Sequence, residues 1–269
     1  VVRGEFNVPR IVSCQLEPRS GIAEYDDVSN VFTITAGNQG VHRYQGMIAS
    51  ALKVDPSKVR VICPDTGGGF GSRGHVGPEF VVLAWVAKKL GKAVKWTSTR
   101  TEAFLSDWQG RDMLMKGELG ITQAGRIVAY KVEFLINNGA HTICYAPAAN
   151  ASRIITTTYD IPTFALDLRV FLTTTTPVLP YRAAGRPETH YVLERLIDKA
   201  ASRIGMDRVL IRVKNLIKSE QMPFKTPMGF TYDVGDFGMA INELVKLMDW
   251  NKVAERKAAS GRVGKLRGI

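Results

Sequence analysis

Val59-Arg60-Val61-Ile62-Cys63 runs directly into Pro64-Asp65-Thr66 and then Gly67-Gly68-Gly69-Phe70-Gly71-Ser72-Arg73. The β-branched residues make the first five a strand, and the glycines end it abruptly. Downstream, Pro78 suits the first turn of a helix and Gly91 its exit. Phe80 to Val86 between them is apolar almost all round, which predicts a buried helix. Upstream, Val31 to Ala36 (VFTITA) reads as another strand, and Val41, Tyr44, Ile48 and Leu52 recur at helical spacing. The glycine loop is thus a strand-to-helix junction inside a mixed region.

The same irregular order continues outward. Val1, Val2 and Phe6 to Val12 are strand-like. Tyr130, Val132, Phe134 and Ile136 alternate with Lys131, Glu133 and Leu135, a strand with one mostly polar face, and Thr122 to Arg126 reads as the hairpin turn before it. Phe164, Leu166, Leu168, Val170 and Leu172 predict a further strand. Pro187 opens a helix with the stripe Val192, Leu193, Leu196, Ile197, Ala200 and Ile204, stopped by Gly205; Asp207 caps the next, Arg208 to Ile217. Beyond Thr226-Pro227-Met228-Gly229 the sequence turns helical again. Strands and helices in this order predict an α+β fold, mixed sheets with packed helices, rather than a doubly wound sheet.

A content of 45% hydrophobic residues in 269 supports a sizeable core. No apolar run approaches the roughly 18 residues that span a membrane, and no charged-then-apolar leader opens the sequence. Both ends read as cut from something longer. The formal charge of +11 raises nucleic acid as a partner. However, the basic residues are scattered singly, without aromatic interleaving, and are dense only from Lys252 to Arg267; no nucleic-acid partner is expected. Cys14, Cys63 and Cys144 and the four histidines lack CxxC or HxxxH spacing, so no zinc, iron–sulfur or other protein-held metal site is expected. Three dispersed cysteines also argue against a disulfide framework and for a reducing, cytoplasmic compartment.

Three segments could carry chemistry. Four glycines within Gly67 to Gly71 let the backbone reach positive φ and turn its N–H groups toward an anion. Alone, the cluster fits a tight connection equally well, and it is neither a P-loop nor a dinucleotide-binding turn. Pro180-Tyr181-Arg182-Ala183-Ala184-Gly185-Arg186-Pro187-Glu188 places arginines beside small residues at a helix entrance, suited to an oxo-anion, or to a surface carboxylate. Gly37-Asn38-Gln39-Gly40 joins a strand to a helix, where a glutamine is ordinarily a cap or turn residue.

Taken in order, these segments resemble the large subunit of molybdenum hydroxylases, the family of xanthine dehydrogenase, aldehyde oxidase and aerobic carbon monoxide dehydrogenase. Gly67 to Gly71 (GGGFG) matches the family's cofactor loop, and Gln39 precedes Phe70 by the family's 31 positions. Leu16-Glu17-Pro18-Arg19 resembles its Met-Glu-Pro-Arg, although Ser13 stands where a His is usual. Tyr159-Asp160-Ile161-Pro162 and Arg182 fall at matching spacing, so the likeness covers essentially the whole chain.

The resemblance implies a molybdopterin cofactor, extended as a cytosine dinucleotide, whose own sulfur atoms hold the molybdenum. Gln39, Gly68, Gly69, Phe70, Gly71, Arg182 and Ala183 would bind it, converging on one cleft. It implies hydroxylation of an aldehyde or aza-aromatic substrate with water-derived oxygen, the electrons leaving through 2Fe-2S clusters and FAD on partner subunits or segments. The general-base glutamate and the remaining cofactor loops are expected outside this chain, in the C-terminal half of the large subunit, so none of its own residues is assigned as catalytic. Where purine hydroxylases carry a glutamate, an arginine and a stacking phenylalanine, this sequence has Gly74, Asn150 and Ala184; where carbon monoxide dehydrogenase has a copper-binding cysteine, it has Ala183. Neither xanthine nor carbon monoxide is therefore expected as a good substrate. The expected organisation is residues 1–30 as the end of an upstream domain or first strands, 31–245 as the first cofactor-binding domain, and 246–269 as a basic linker or tail. The rival reading is a non-catalytic scaffold, or one half of a split subunit that needs a partner chain.

Overall fold

The computed structural model describes residues 1–268. It is built on two four-stranded mixed sheets. In chain order the elements begin with β1 (Val2–Val12), β2 (Ser20–Asp26), β3 (Val31–Ala36), α1 (Val41–Leu52), β4 (Val59–Ile62), α2 (Pro78–Leu90), β5 (Val94–Thr97) and α3 (Arg100–Ser106). They continue with β6 (Gln109–Ile121), β7 (Ile127–Asn137), α4 (Ala146–Arg153), β8 (Phe164–Phe171), α5 (Arg186–Ile204) and α6 (Arg208–Asn215). The two-residue strands β9 (Phe224–Lys225) and β10 (Thr231–Tyr232) form a short ladder, followed by α7 (Phe237–Leu247) and α8 (Val253–Arg262).

The smaller sheet runs β4-β3-β2-β5, with β3 and β4 parallel around α1. Its inward residues, Ala23, Phe32 and Ile34, close a core with Tyr44 and Ile48 of α1 and Phe80 and Leu83 of α2. The larger sheet runs β1-β6-β7-β8, and only β7 and β8 are parallel. Met113, Met115, Val132 and Phe134 face Val192, Leu193, Leu196 and Ile197 of α5. The residues before 31 contribute to both sheets, β1 pairing with β6 and β2 with β3 and β5. The glycine loop leaves β4 at the edge of one sheet, and Pro180 to Gly185 enters the α5 that packs on the other. The site therefore forms where the two layers meet.

Several local expectations need correcting. α2 is not buried all round, since Val82 and Trp85 are 56% and 53% exposed. Its apolar circumference exceeds the one sheet face available to cover it. The helix from Arg208 ends at Asn215 because that side chain turns in, accepting the Ile127 N–H and donating to the Gly125 and Ile211 carbonyls. The segment expected as a tail is helical to Arg262 and anchored by buried Val253 and by Trp250, whose indole N–H donates to Asp207 at 3.1 Å.

Candidate functional site

The turn after β3 is set by Asn38, whose buried amide donates to Ala36 O at 2.9 Å and accepts the Gly40 N–H at 2.9 Å. This presents Gln39 to the glycine loop. The Gln39 N–H donates to Arg73 O at 3.1 Å, and its Oε1 accepts the Gly71 N–H at 2.8 Å. With its oxygen thus engaged, the amide NH2 of Gln39 remains as an oriented donor.

The loop is held from behind by the segment after β1. The Glu17 carboxylate accepts the Gly67 N–H at 2.6 Å, and Gln15 Nε2 donates to Gly69 O at 3.2 Å and Ser72 Oγ at 2.5 Å. Buried Arg73 donates to Glu17 O at 2.7 Å, and desolvation holds its guanidinium below the ordinary arginine pKa. Phe70, 45% exposed, has a φ of 52°, an uncommon value for a bulky side chain. Gly71 has a φ of 102°, and a Cβ there would lie 2.4 Å from Pro180 O; one on Gly69 would meet the Gln39 side chain at 2.5 Å. The backbone contact and positive φ at Gly71 require glycine, and a Cβ at Gly69 would displace the Gln39 side chain.

Across that contact the Arg182 N–H donates to Phe70 O at 2.8 Å, joining two segments far apart in sequence. Ala183, Ala184 and Gly185 follow at φ values of 68°, 34° and 88°. Each non-glycine residue in this region costs on the order of 1–3 kcal/mol, so the surroundings must enforce it. Arg111 does so from β6. Its Nη2 donates to Arg182 O at 2.9 Å, its Nη1 meets Glu188 Oε2 at 3.0 Å, and its guanidinium lies 5.1 Å from the Tyr181 ring centroid. The Arg111 and Glu188 side chains are only 11% and 1% exposed, and Glu188 Oε1 is buried without a partner. Arg111 and Asp112 also have positive φ, opposite Pro9, where the ladder between Val8–Met113 and Arg10–Arg111 is interrupted. Pro9 has no N–H to donate, so the strand buckles there and turns Arg111 inward.

Gln39, Gly69, Phe70, Gly71 and Arg182 therefore form one connected set, with Gly68 beneath the Phe70 ring and exposed Ala183 beside Arg182. The other expected positions lie around it. Gly74 closes the loop through its N–H to Gly71 O at 3.2 Å. Ala184 is 7% exposed, its N–H bonded to Tyr181 O at 2.9 Å. Asn150 is half-buried on α4, whose Pro147 O and Ala151 N abut Gly185. Sequence reasoning missed Arg111 and the structural parts of Glu188 and Gln15. Pro9 within a strand-like run was the one signal that the neighbouring strand must buckle.

Residues 1–216 match the family model of the molybdopterin cofactor-binding domain. The chain belongs to that family. It is 32% identical over 93% of its length to the carbon monoxide dehydrogenase large chain of Hydrogenophaga pseudoflava, and covers 32% of that protein. It is equally 32% identical over 97% of its length to subunit gamma of the 6-hydroxypseudooxynicotine dehydrogenase complex of Paenarthrobacter nicotinovorans, covering 34% of it. The fold matches that of quinoline 2-oxidoreductase from Pseudomonas putida 86, with a TM-score of 0.94 at 25% identity over 98% of this chain and 34% of the other. The chain thus spans about a third of the length of the relatives it matches. Among the described residues, no group of three or more His, Cys, Asp or Glu could hold a metal ion, and no helix is long and apolar enough to cross a membrane.

Proposed function

We propose that this chain forms the first part of the molybdenum-cofactor site of an oxidoreductase that hydroxylates an aldehyde or aza-aromatic substrate. The observation that carries this reading is the hydrogen bond from the Arg182 N–H to Phe70 O at 2.8 Å, which joins the glycine loop to the arginine segment. The donor set fits an anionic group whose metal is held by its own sulfur atoms. It offers the free NH2 of Gln39, the loop N–H groups from Gly68 to Phe70, and the exposed Arg182 guanidinium. When bound, the cofactor would supply two-electron redox chemistry and the site for water-derived oxygen. Gln39 would donate to it, the Phe70-Gly71 backbone would lie against it, and Arg182 and Ala183 would lie toward the reacting group. Gly74, Asn150 and Ala184 are the positions assigned to the substrate pocket, and they supply neither the charged pair nor the ring that a purine requires.

In this reading the cofactor is the cytosine dinucleotide form of molybdopterin in a cytoplasmic enzyme. The C-terminal half of the large subunit supplies the general base, and 2Fe-2S and FAD partners carry the electrons. Metal and pterin analysis of the full large subunit, wild type against Gln39→Ala and Arg182→Ala, tests it. Stoichiometric molybdopterin in the wild type and reduced content or turnover in the variants are expected. Unaltered content and turnover in both variants would remove these residues from the site.

A further inference from the structure

Among the described residues, half of the twenty arginines have a carboxylate within ion-pair distance, Arg10, Arg19, Arg111, Arg126, Arg208 and Arg212 among them. Arg43 has none, and a buried histidine orients it instead. This arginine stands in the first turn of α1, exposed, with its Nη2 2.7 Å from Nε2 of His75. His75 is 4% exposed, and burial together with the neighbouring guanidinium pushes its pKa down to about 4. The imidazole is therefore neutral at physiological pH and accepts the arginine proton through Nε2, which orients Arg43 without cancelling its charge. Its Nδ1 is buried with no partner.

The surroundings suit an anion. Helix α1 begins at Gly40 with no side-chain cap, so the positive end of its dipole is uncovered. The space beside Gly74 is open: among the described residues, and apart from its chain neighbours, a Cβ there would meet within 4 Å only Arg43 Nη1, at 4.0 Å. Gln39, just before the start of the same helix, belongs to the connected set already described. Among the described residues, neither Arg43 nor Arg182 has a carboxylate within ion-pair distance. A fixed, uncompensated guanidinium beside open glycine backbone is a receptor for a planar or tetrahedral oxyanion.

We propose that Arg43, oriented by His75, is an oxyanion-binding subsite beside the glycine loop, taking the carboxylate of an acidic substrate or a phosphate of the cofactor. The proposal rests on the cofactor-site reading above. It is tested on the full large subunit with Arg43→Gln and Arg43→Lys, using inorganic phosphate and pyridine-3-carboxylate as calorimetric probes, alongside molybdopterin content. Losing one charge-assisted pair should weaken oxyanion binding about tenfold in Arg43→Gln, with partial rescue in Arg43→Lys. Lower molybdopterin content in Arg43→Gln identifies the phosphate as the bound group. Unchanged content, with KM raised about tenfold for the carboxylate and within about twofold for the neutral carboxamide, identifies the substrate. The proposal is overturned if Arg43→Gln binds both anions as wild type does, or if the wild type binds neither while Arg43→Gln keeps full cofactor. A wild-type subunit that lacks molybdopterin yet binds the anions through Arg43 would instead overturn the cofactor reading alone.

Discussion

Replacing Arg111 with Met should be the most informative single change in this chain. Arg111 meets Glu188 Oε2 at 3.0 Å with side-chain exposures of 11% and 1%, and also donates to Arg182 O at 2.9 Å. Methionine keeps most of the volume but leaves a carboxylate buried with neither oxygen partnered, because Oε1 already has none. Breaking a buried pair from one side costs about 3–5 kcal/mol. For a chain of this size that corresponds to a fall in Tm of roughly 6–20 °C. The double variant Arg111→Met, Glu188→Met should recover most of the loss, since desolvation and attraction vanish together. It should not restore cofactor retention, because the left-handed run from Ala183 to Gly185 would still lack the donor that holds Arg182 O. Urea and thermal unfolding followed by circular dichroism give the stabilities, and metal analysis of the full subunit gives retention. A single variant within about 1 kcal/mol of wild type would refute the buried-pair argument. A double variant as unstable as the single would refute its attribution to an uncompensated charge.

Three further outcomes follow from the site. Gly71→Ala puts a methyl group 2.4 Å from Pro180 O at a φ of 102°; it should destabilise by on the order of 2 kcal/mol and lower cofactor content in the full subunit, measured by unfolding and pterin fluorescence. His75, with its folded pKa pushed below the unfolded value to about 4, contributes stability that is fully present above about pH 6.5 and lost as pH falls toward 4. His75→Gln should flatten that part of the stability profile, in which at most about 3 kcal/mol is at stake. The 269-residue chain by itself should fold, yet carry no molybdenum and show no aldehyde-to-dye turnover, as metal analysis and a dye-reduction assay can check. Stoichiometric metal with turnover would place the general base within these residues.

Much of the fold was legible because periodicity and punctuation agreed. The alternation from Tyr130 to Ile136, the Thr122–Arg126 turn and the stripe from Val192 to Ile204 all appear as β7, its hairpin and α5. β6 escaped notice because its inward positions are Met113, Met115, Gly117 and Leu119, two flexible side chains and one absent one. β2 and β5 were missed because their short runs, SGIAEYD and VKWT, become strands by pairing with each other and with β3. α3 carried a readable signal, the reciprocal Thr99–Glu102 capping box, within a run too short to show helical periodicity.

The candidate site divides along the same line. Glycines and an ordered set of motif residues can be read directly, since a residue without a side chain in a fixed pattern has few other uses. What holds them in place cannot, because Arg111 reaches Arg182 and Glu188 only after β6 has buckled opposite Pro9 and α5 has packed on the sheet. The strained φ values from Ala183 to Gly185 have the same origin. A left-handed alanine pair is locally unfavourable, and nothing in Ala-Ala-Gly announces it. Such a conformation persists only under tertiary constraint, here from the Arg111 clamp on one side and Pro147 O against Gly185 on the other. Local reading therefore finds the residues offered to a ligand, whereas the residues that impose their geometry emerge only from packing between distant elements.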